Sequence, residues 1–185
     1  MAERHGLKVL LNDPPKKIGV SIDEIAQNCD IITFHTPLTF NCQLSTVNYP
    51  TYHLCDEQFL AKTKPNALII NAARGGIVDE QALLRSGRPF IIDTCENEPN
   101  LDKHVLQRAM LASMHIAGYS LQGKRNASQM CLNAISETFG LKRIELSKDI
   151  RPAGDSAKGW LKRVSDALKA HPEQFEQLRK DYPLR

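Results

Sequence analysis

Short apolar runs of strand length recur along the chain, each ending in polar residues: Leu7-Lys8-Val9-Leu10-Leu11, Asp30-Ile31-Ile32-Thr33-Phe34, Ala67-Leu68-Ile69-Ile70, Phe90-Ile91-Ile92 and Ala112-Ser113-Met114-His115-Ile116. They are apolar throughout rather than alternating, a pattern that predicts parallel strands covered on both faces. Helical patterns lie between them. Ser21 with Glu24 three positions later forms a capping box opening a helix over Ile22 to Asn28, Asp56 caps Glu57 to Lys62, and Asp79 precedes Glu80 to Leu84. Strands alternating with helices predict an α/β fold with a doubly wound, Rossmann-like, mostly parallel sheet.

From Ser120 to Phe139 the pattern changes to one long helix, with Met130, Leu132, Ile135 and Phe139 on a predicted buried stripe and Gly140 as its stop. The segment from Lys148 to Arg185 carries Pro152, Gly154, Gly159 and Pro172 and two short charged helical stretches, near Trp160 to Ala170 and Pro172 to Asp181. It reads as a helical C-terminal appendage. The division expected is 1–140 for the sheet domain and 141–185 for the appendage.

Composition narrows the class. A chain of 185 residues that is 42% hydrophobic and 24% charged suits a globular domain, not a disordered or fibrous protein. The net charge of +3 is spread along the chain and no basic run is interleaved with aromatics, so neither nucleic acid nor a membrane surface is an expected partner. Cys29, Cys42, Cys55, Cys95 and Cys131 form no C-x-x-C pair and no zinc spacing. They read as reduced thiols of a cytoplasmic protein, with no metal expected. The start lacks a signal-peptide pattern, and the longest apolar stretches are too short to span a bilayer.

Ligands of doubly wound sheets bind outside the carboxyl ends of the strands, so residues just past each strand are the candidates. An acidic residue at the end of an early strand, as at Asp13, can accept hydrogen bonds from an adenosine ribose and disfavour a 2′-phosphate; a plain strand cap before Pro14-Pro15 is the other reading, and the same choice applies to Asp93. Arg74, Glu98 and His115 say more together. Oxidation of a secondary alcohol needs a base for the hydroxyl proton, which an imidazole supplies, and a carboxylate beside it fixes the tautomer. A guanidinium holds a substrate carboxylate in bidentate fashion.

Asn71-Ala72-Ala73-Arg74-Gly75, Asp93 to Glu98-Pro99 and His115-Ile116-Ala117-Gly118 resemble, in order, the three signatures of the D-isomer-specific 2-hydroxyacid dehydrogenases. Asp13-Pro14-Pro15, Thr33 to Leu38, His115 to Lys124 and Phe175 to Tyr182 are similar to one metabolic branch of that family, which oxidises a small phosphorylated 2-hydroxy acid. The resemblance implies NAD as cofactor and a cytoplasmic homodimer. It implies His115 as proton donor or acceptor, Glu98 as its partner, and Arg74 as the substrate-orienting residue. Asp13, Thr36, Ala72, Ala73, Arg74, Asp93 and Gly118 would line the NAD site, and Tyr119 would touch the substrate. By the same resemblance 1–140 is a partial NAD-binding domain and 141–185 a shortened dimerisation region.

The family's lid-like substrate domain and G-x-G-x-x-G loop have no counterpart in these 185 residues, so the resemblance implies an N-terminally truncated chain that opens at the family's second strand. The missing first strand would leave a gap of about 10 Å between the strand ending at Asp13 and the one ending at His35. Two functions are compatible with this: the family's dehydrogenase reaction, or a non-catalytic remnant that binds nucleotide or dimerises through Ser120 to Phe139. A corepressor on the same fold is disfavoured by the His115 to Lys124 segment.

Overall fold

The structure, a computed structural model, describes residues 2–40, 49–146 and 157–182. After a 3-10 turn at Ala2–His5, β1 (Asn12–Asp13) and β2 (Ile18–Gly19) form a small antiparallel hairpin around a 3-10 turn at Pro14–Lys16. The main sheet follows as β3 (Ile31–Phe34), β4 (Leu68–Asn71), β5 (Phe90–Ile92) and β6 (Leu111–Ala112), all parallel and paired in chain order. Connecting them are α1 (Ile22–Asn28), α2 (Glu57–Lys62), α3 (Glu80–Ser86) and α4 (Lys103–Arg108); α5 (Leu121–Phe139), α6 (Ala157–Ala170) and α7 (Phe175–Lys180) come after the sheet.

The short helices begin where a side chain satisfies an orphan backbone donor. Ser21 Oγ accepts from Glu24 N–H, Asp56 from Phe59, Asp79 from Ala82 and Asp102 from His104. Their apolar residues and one face of the sheet make the core: Ile32, Phe34, Ile69, Phe90, Ile92 and Ala112 meet Leu60, Leu83, Val105 and Leu106.

The expected α/β Rossmann-like fold is present, with four corrections of detail. Leu7–Leu11 is not a strand, and Leu7, Val9 and Leu11 are exposed. A strand needs a neighbour for its backbone groups, and among the described residues none pairs with β3 on that side; the Leu11 carbonyl accepts from Val20 N–H at 2.7 Å within the hairpin instead. Second, among the described residues one face of the sheet is more fully covered than the other. Residues in register on the other face, Ile31, Thr33, Leu68, Ile70, Ile91 and Leu111, are half-buried or exposed, with Ile31 at 47%. Third, the last strand ends at Ala112, because the backbone at 113–117 turns to meet Asp93.

The fourth correction concerns α5. It is a helix over the expected residues, capped by Ser120 and ended by Gly140 in the left-handed region. Its supposed core stripe faces outward, with Met130 72%, Ile135 48% and Phe139 71% exposed, and Ser136 is its buried residue. Apolar spacing shows that a helix has a face, not what covers it. The C-terminal helices, by contrast, are tightly joined to the sheet: Leu168 and Phe175 are fully buried, and Ser165 Oγ accepts the Ala112 N–H at 3.0 Å, closing the β6 edge. Pro152 and Gly154 lie outside the described residues.

Candidate active site

The carboxyl ends of β4, β5 and β6 release three loops that are bonded to one another. Asn71 is the hub of the first: its amide N–H groups reach the Arg74 and Thr94 carbonyls, and its Oδ1 accepts from Ala73 N–H. Gly75 then passes so close to the second loop that a Cβ there would lie 2.0 Å from the Cys95 carbonyl oxygen, so only glycine fits.

The third loop hangs from Asp93. This buried carboxylate accepts from Ser113 Oγ (2.6 Å), Ile116 N–H (2.8 Å) and Ala117 N–H (2.9 Å), and the Asp93 carbonyl accepts from His115 N–H. The clamp holds His115 at φ 56°, a left-handed backbone that costs free energy in a non-glycine residue. His115 Nδ1 is 2.9 Å from Glu98 Oε2, and Glu98 Oε1 accepts Cys95 N–H at 2.8 Å. Glu98 thus accepts a hydrogen bond from Nδ1–H, the tautomer that leaves Nε2 with its lone pair, the form a general base needs.

Arg74, Glu98 and His115 line one cleft of about 330 Å³ with Leu38, Tyr52 and Glu96. Arg74 donates to the Ala73 carbonyl at 2.7 Å and among the described residues has no carboxylate partner. Its remaining N–H groups are available to an acidic ligand.

One wall of the cleft was not legible in the sequence. His53, also in the left-handed region, sits 2.6 Å from Glu96 Oε1, and its ring is stacked on Tyr52 at 3.9 Å. Glu80, buried beneath the same loop, accepts the Glu96 N–H at 2.8 Å. No local signal marks His53 or Glu80, since both act through residues 16 or more positions away. Desolvation pushes the Glu80 carboxyl up to about 7, opposed by the Glu96 N–H bond and reinforced by the charges of Glu96, Asp102 and Glu98. A carboxyl whose folded pKa is raised favours folding while protonated, so this contribution is complete below about 4.5, the ordinary value, and is lost as pH rises through about 7. Glu80→Gln is expected to flatten the stability profile over that window by on the order of 1–3 kcal/mol relative to the parent chain. Urea unfolding of both chains at the two ends of the window checks it, and parallel profiles would refute it.

The remaining candidates are divided. Thr36, Ala72, Ala73 and Asp93 follow the ends of β3, β4 and β5, beside the cleft. Asp13 stands in the separate hairpin, exposed and bonded to Lys16 at 2.9 Å, which lowers its pKa. Gly118 borders open space, where a Cβ would meet nothing within 4 Å. Tyr119 meets Lys124 of α5 and Arg179 of α7 with its ring. Cys55 and Cys95 are buried thiols pushed up by desolvation, Cys55 to about 12; with Cys29 and Cys131 they are free, and Cys42 lies outside the described residues.

The family model described as D-isomer specific 2-hydroxyacid dehydrogenase, NAD binding domain, matches residues 1–117. The chain belongs to this family. It is 40% identical to an erythronate-4-phosphate dehydrogenase of Bacteroides fragilis, covering 100% of this chain and 58% of that protein. It is 33% identical to one from Coxiella burnetii, over 97% of this chain and 55% of that protein. Among solved structures, a D-lactate dehydrogenase from Sporolactobacillus is 26% identical with a TM-score of 0.52, covering 75% of this chain and 46% of that one. The chain thus spans somewhat over half the length of the curated relatives it matches.

NAD is the cofactor of this domain family. The residues at the strand ends leave room for part of such a group: Ala72 and Ala73 are small, and among the described residues the Thr36 hydroxyl donates to the Pro37 carbonyl at 3.4 Å. For the pyrophosphate end the 185 residues hold no G-x-G-x-x-G. Among the described residues no helix is long and apolar enough to cross a membrane.

Proposed function

We propose that this chain is the catalytic part of an NAD-dependent dehydrogenase that oxidises 4-phospho-D-erythronate to 2-oxo-3-hydroxy-4-phosphobutanoate, in the cytoplasmic biosynthesis of pyridoxal phosphate. The observation that carries this reading is the convergence of Arg74, Glu98 and His115 on one cleft, with His115 Nδ1 held by Glu98. The relatives named erythronate-4-phosphate dehydrogenase support the choice of substrate.

In this reading Arg74 grips the substrate carboxylate, and His115 Nε2 takes the proton of the 2-hydroxyl as the carbonyl forms. Glu98 stabilises the imidazolium that results. Bound NAD supplies the hydride acceptor. Thr36, Ala72, Ala73, Arg74, Asp93 and Gly118 would hold its nicotinamide end, Asp93 through the loop it clamps rather than by its own oxygens, which are occupied. We assign the boundary between this domain and a dimerisation region to about residue 140, and the exposed apolar side of α5 supports a homodimer.

A second reading, a nucleotide-binding or dimerising module without turnover, is favoured by the lack of a G-x-G-x-x-G loop in these residues. Calorimetric titration of the chain with NAD, followed by 4-phosphoerythronate turnover at the NADH absorbance, separates the two. The dehydrogenase reading expects NAD binding and turnover. Binding without turnover establishes a nucleotide-binding module, and no heat at millimolar NAD defeats the dehydrogenase and nucleotide-binding readings and leaves the dimerising one.

A further inference from the structure

His115 to Lys124 and Phe175 to Tyr182 are far apart in sequence but meet in space at Tyr119. Lys124 Nζ lies 4.0 Å from the Tyr119 ring centroid and Arg179 Cζ lies 5.9 Å from it. The ring itself leans on Tyr182 (centroids 6.4 Å), which in turn packs on Trp160 at 5.6 Å. Neither Lys124 nor Arg179 has a carboxylate partner among the described residues. Some other cations are ion-paired, as in Lys62–Asp23 and Lys64–Asp30.

We propose that Lys124 and Arg179, gathered at Tyr119, form a subsite for a phosphate monoester dianion, the phosphate of the substrate. Gathering two like charges without a counter-ion is unfavourable by itself, and a dianion between them reverses the sign. The face of an aromatic ring attracts both cations but does not use up their N–H donors, so the ammonium and the guanidinium fork remain free to bind phosphate oxygens. The first turn of the 19-residue α5 carries Lys124 and adds its positive end to the same place. Position agrees too: the Tyr119 N–H bonds the Ile116 carbonyl at 2.8 Å, a turn that keeps Tyr119 within about 7 Å of the residue next to His115. A four-carbon acid whose 2-hydroxyl is at His115 thus has its phosphate end directed along this loop. The assignment rests on the dehydrogenase reading for the identity of the ligand, not for the existence of an anion site.

Trp160 is the only tryptophan in the chain and reports on the cluster through Tyr182. Its emission is titrated at constant ionic strength with inorganic phosphate, 4-phospho-D-erythronate and D-erythronate, each with and without saturating NAD. The expected result is a saturable change with the two phosphate-bearing compounds and none with D-erythronate, with affinity weakened roughly tenfold or more in Lys124→Gln and in Arg179→Gln. Arg179→Lys, which keeps the charge and loses the fork, is expected to fall between. Circular dichroism melting of each variant guards against misfolding, and a variant that does not melt like the parent is replaced by its charge-conserving counterpart. Equal affinity in both Gln variants, or an equal response to D-erythronate, overturns the subsite. Competition by NAD against phosphate also overturns it, because the site would then belong to the dinucleotide pyrophosphate. Failure of NAD binding or turnover with an intact phosphate titration defeats the dehydrogenase reading alone.

Discussion

Under the dehydrogenase function proposed above, His115→Gln is expected to lower NAD-dependent turnover of 4-phosphoerythronate by ~10²–10⁴-fold, the range a positioned general base supplies. NAD affinity is expected to stay near that of the parent chain, since Glu98 and the backbone clamp on Asp93 are untouched by the change. Glutamine keeps a hydrogen-bonding group near Glu98 but has no proton-accepting nitrogen at the cleft. Single-turnover absorbance at the NADH band, together with calorimetric NAD binding, reads the two quantities separately. Turnover in the variant comparable to the parent would remove His115 from the reaction, and a collapse of NAD binding alongside it would make the histidine structural.

Asp93→Ala is expected to cause the largest loss of stability of any single side chain at the site. Its carboxylate satisfies Ser113 Oγ and the Ile116 N–H in the interior, and the N–H of Ala117 at its exposed edge. Each donor left buried and unpaired costs about 1–3 kcal/mol, so the two interior donors together cost at least about 2 kcal/mol. The same bonds hold His115 in its left-handed backbone, and without them the loop has no reason to keep that conformation. Asp93→Asn retains one acceptor oxygen and should lose part of the effect. Urea unfolding midpoints measure the series; an alanine variant as stable as the parent would mean that the clamp is not what shapes the loop.

The parts of this picture that were legible from the chain are those written in nearest neighbours and short periods. Ser21, Asp56 and Asp79 cap helices because capping is an interaction between residues three apart. Phe90–Ile92 and the strand ending at Asn71 were identifiable because a buried parallel strand is apolar along its length. The shared location of Arg74, Glu98 and His115 was readable because each follows a strand, and the ends of parallel strands converge on one edge of the sheet. The convergence of the three was then inevitable once β4, β5 and β6 paired in order.

What the tertiary structure decided are relations between distant residues, for which local pattern is silent. Leu7–Leu11 has the composition of a strand but has no partner among the described residues, and a strand exists only with one. Met130, Ile135 and Phe139 show the spacing of a core stripe, yet spacing defines a helix face without saying whether protein or solvent lies beyond it. His53 with Glu96, Glu80 beneath the same loop, and Lys124 with Arg179 at Tyr119 depend on folding for their proximity. The sequence by itself determined the elements, their caps and the chemistry available at the strand ends. Only the folded chain decided which charges are paired and which stand free to meet a ligand, because electrostatic and hydrogen-bond energies depend on distance in space, which sequence separation does not set.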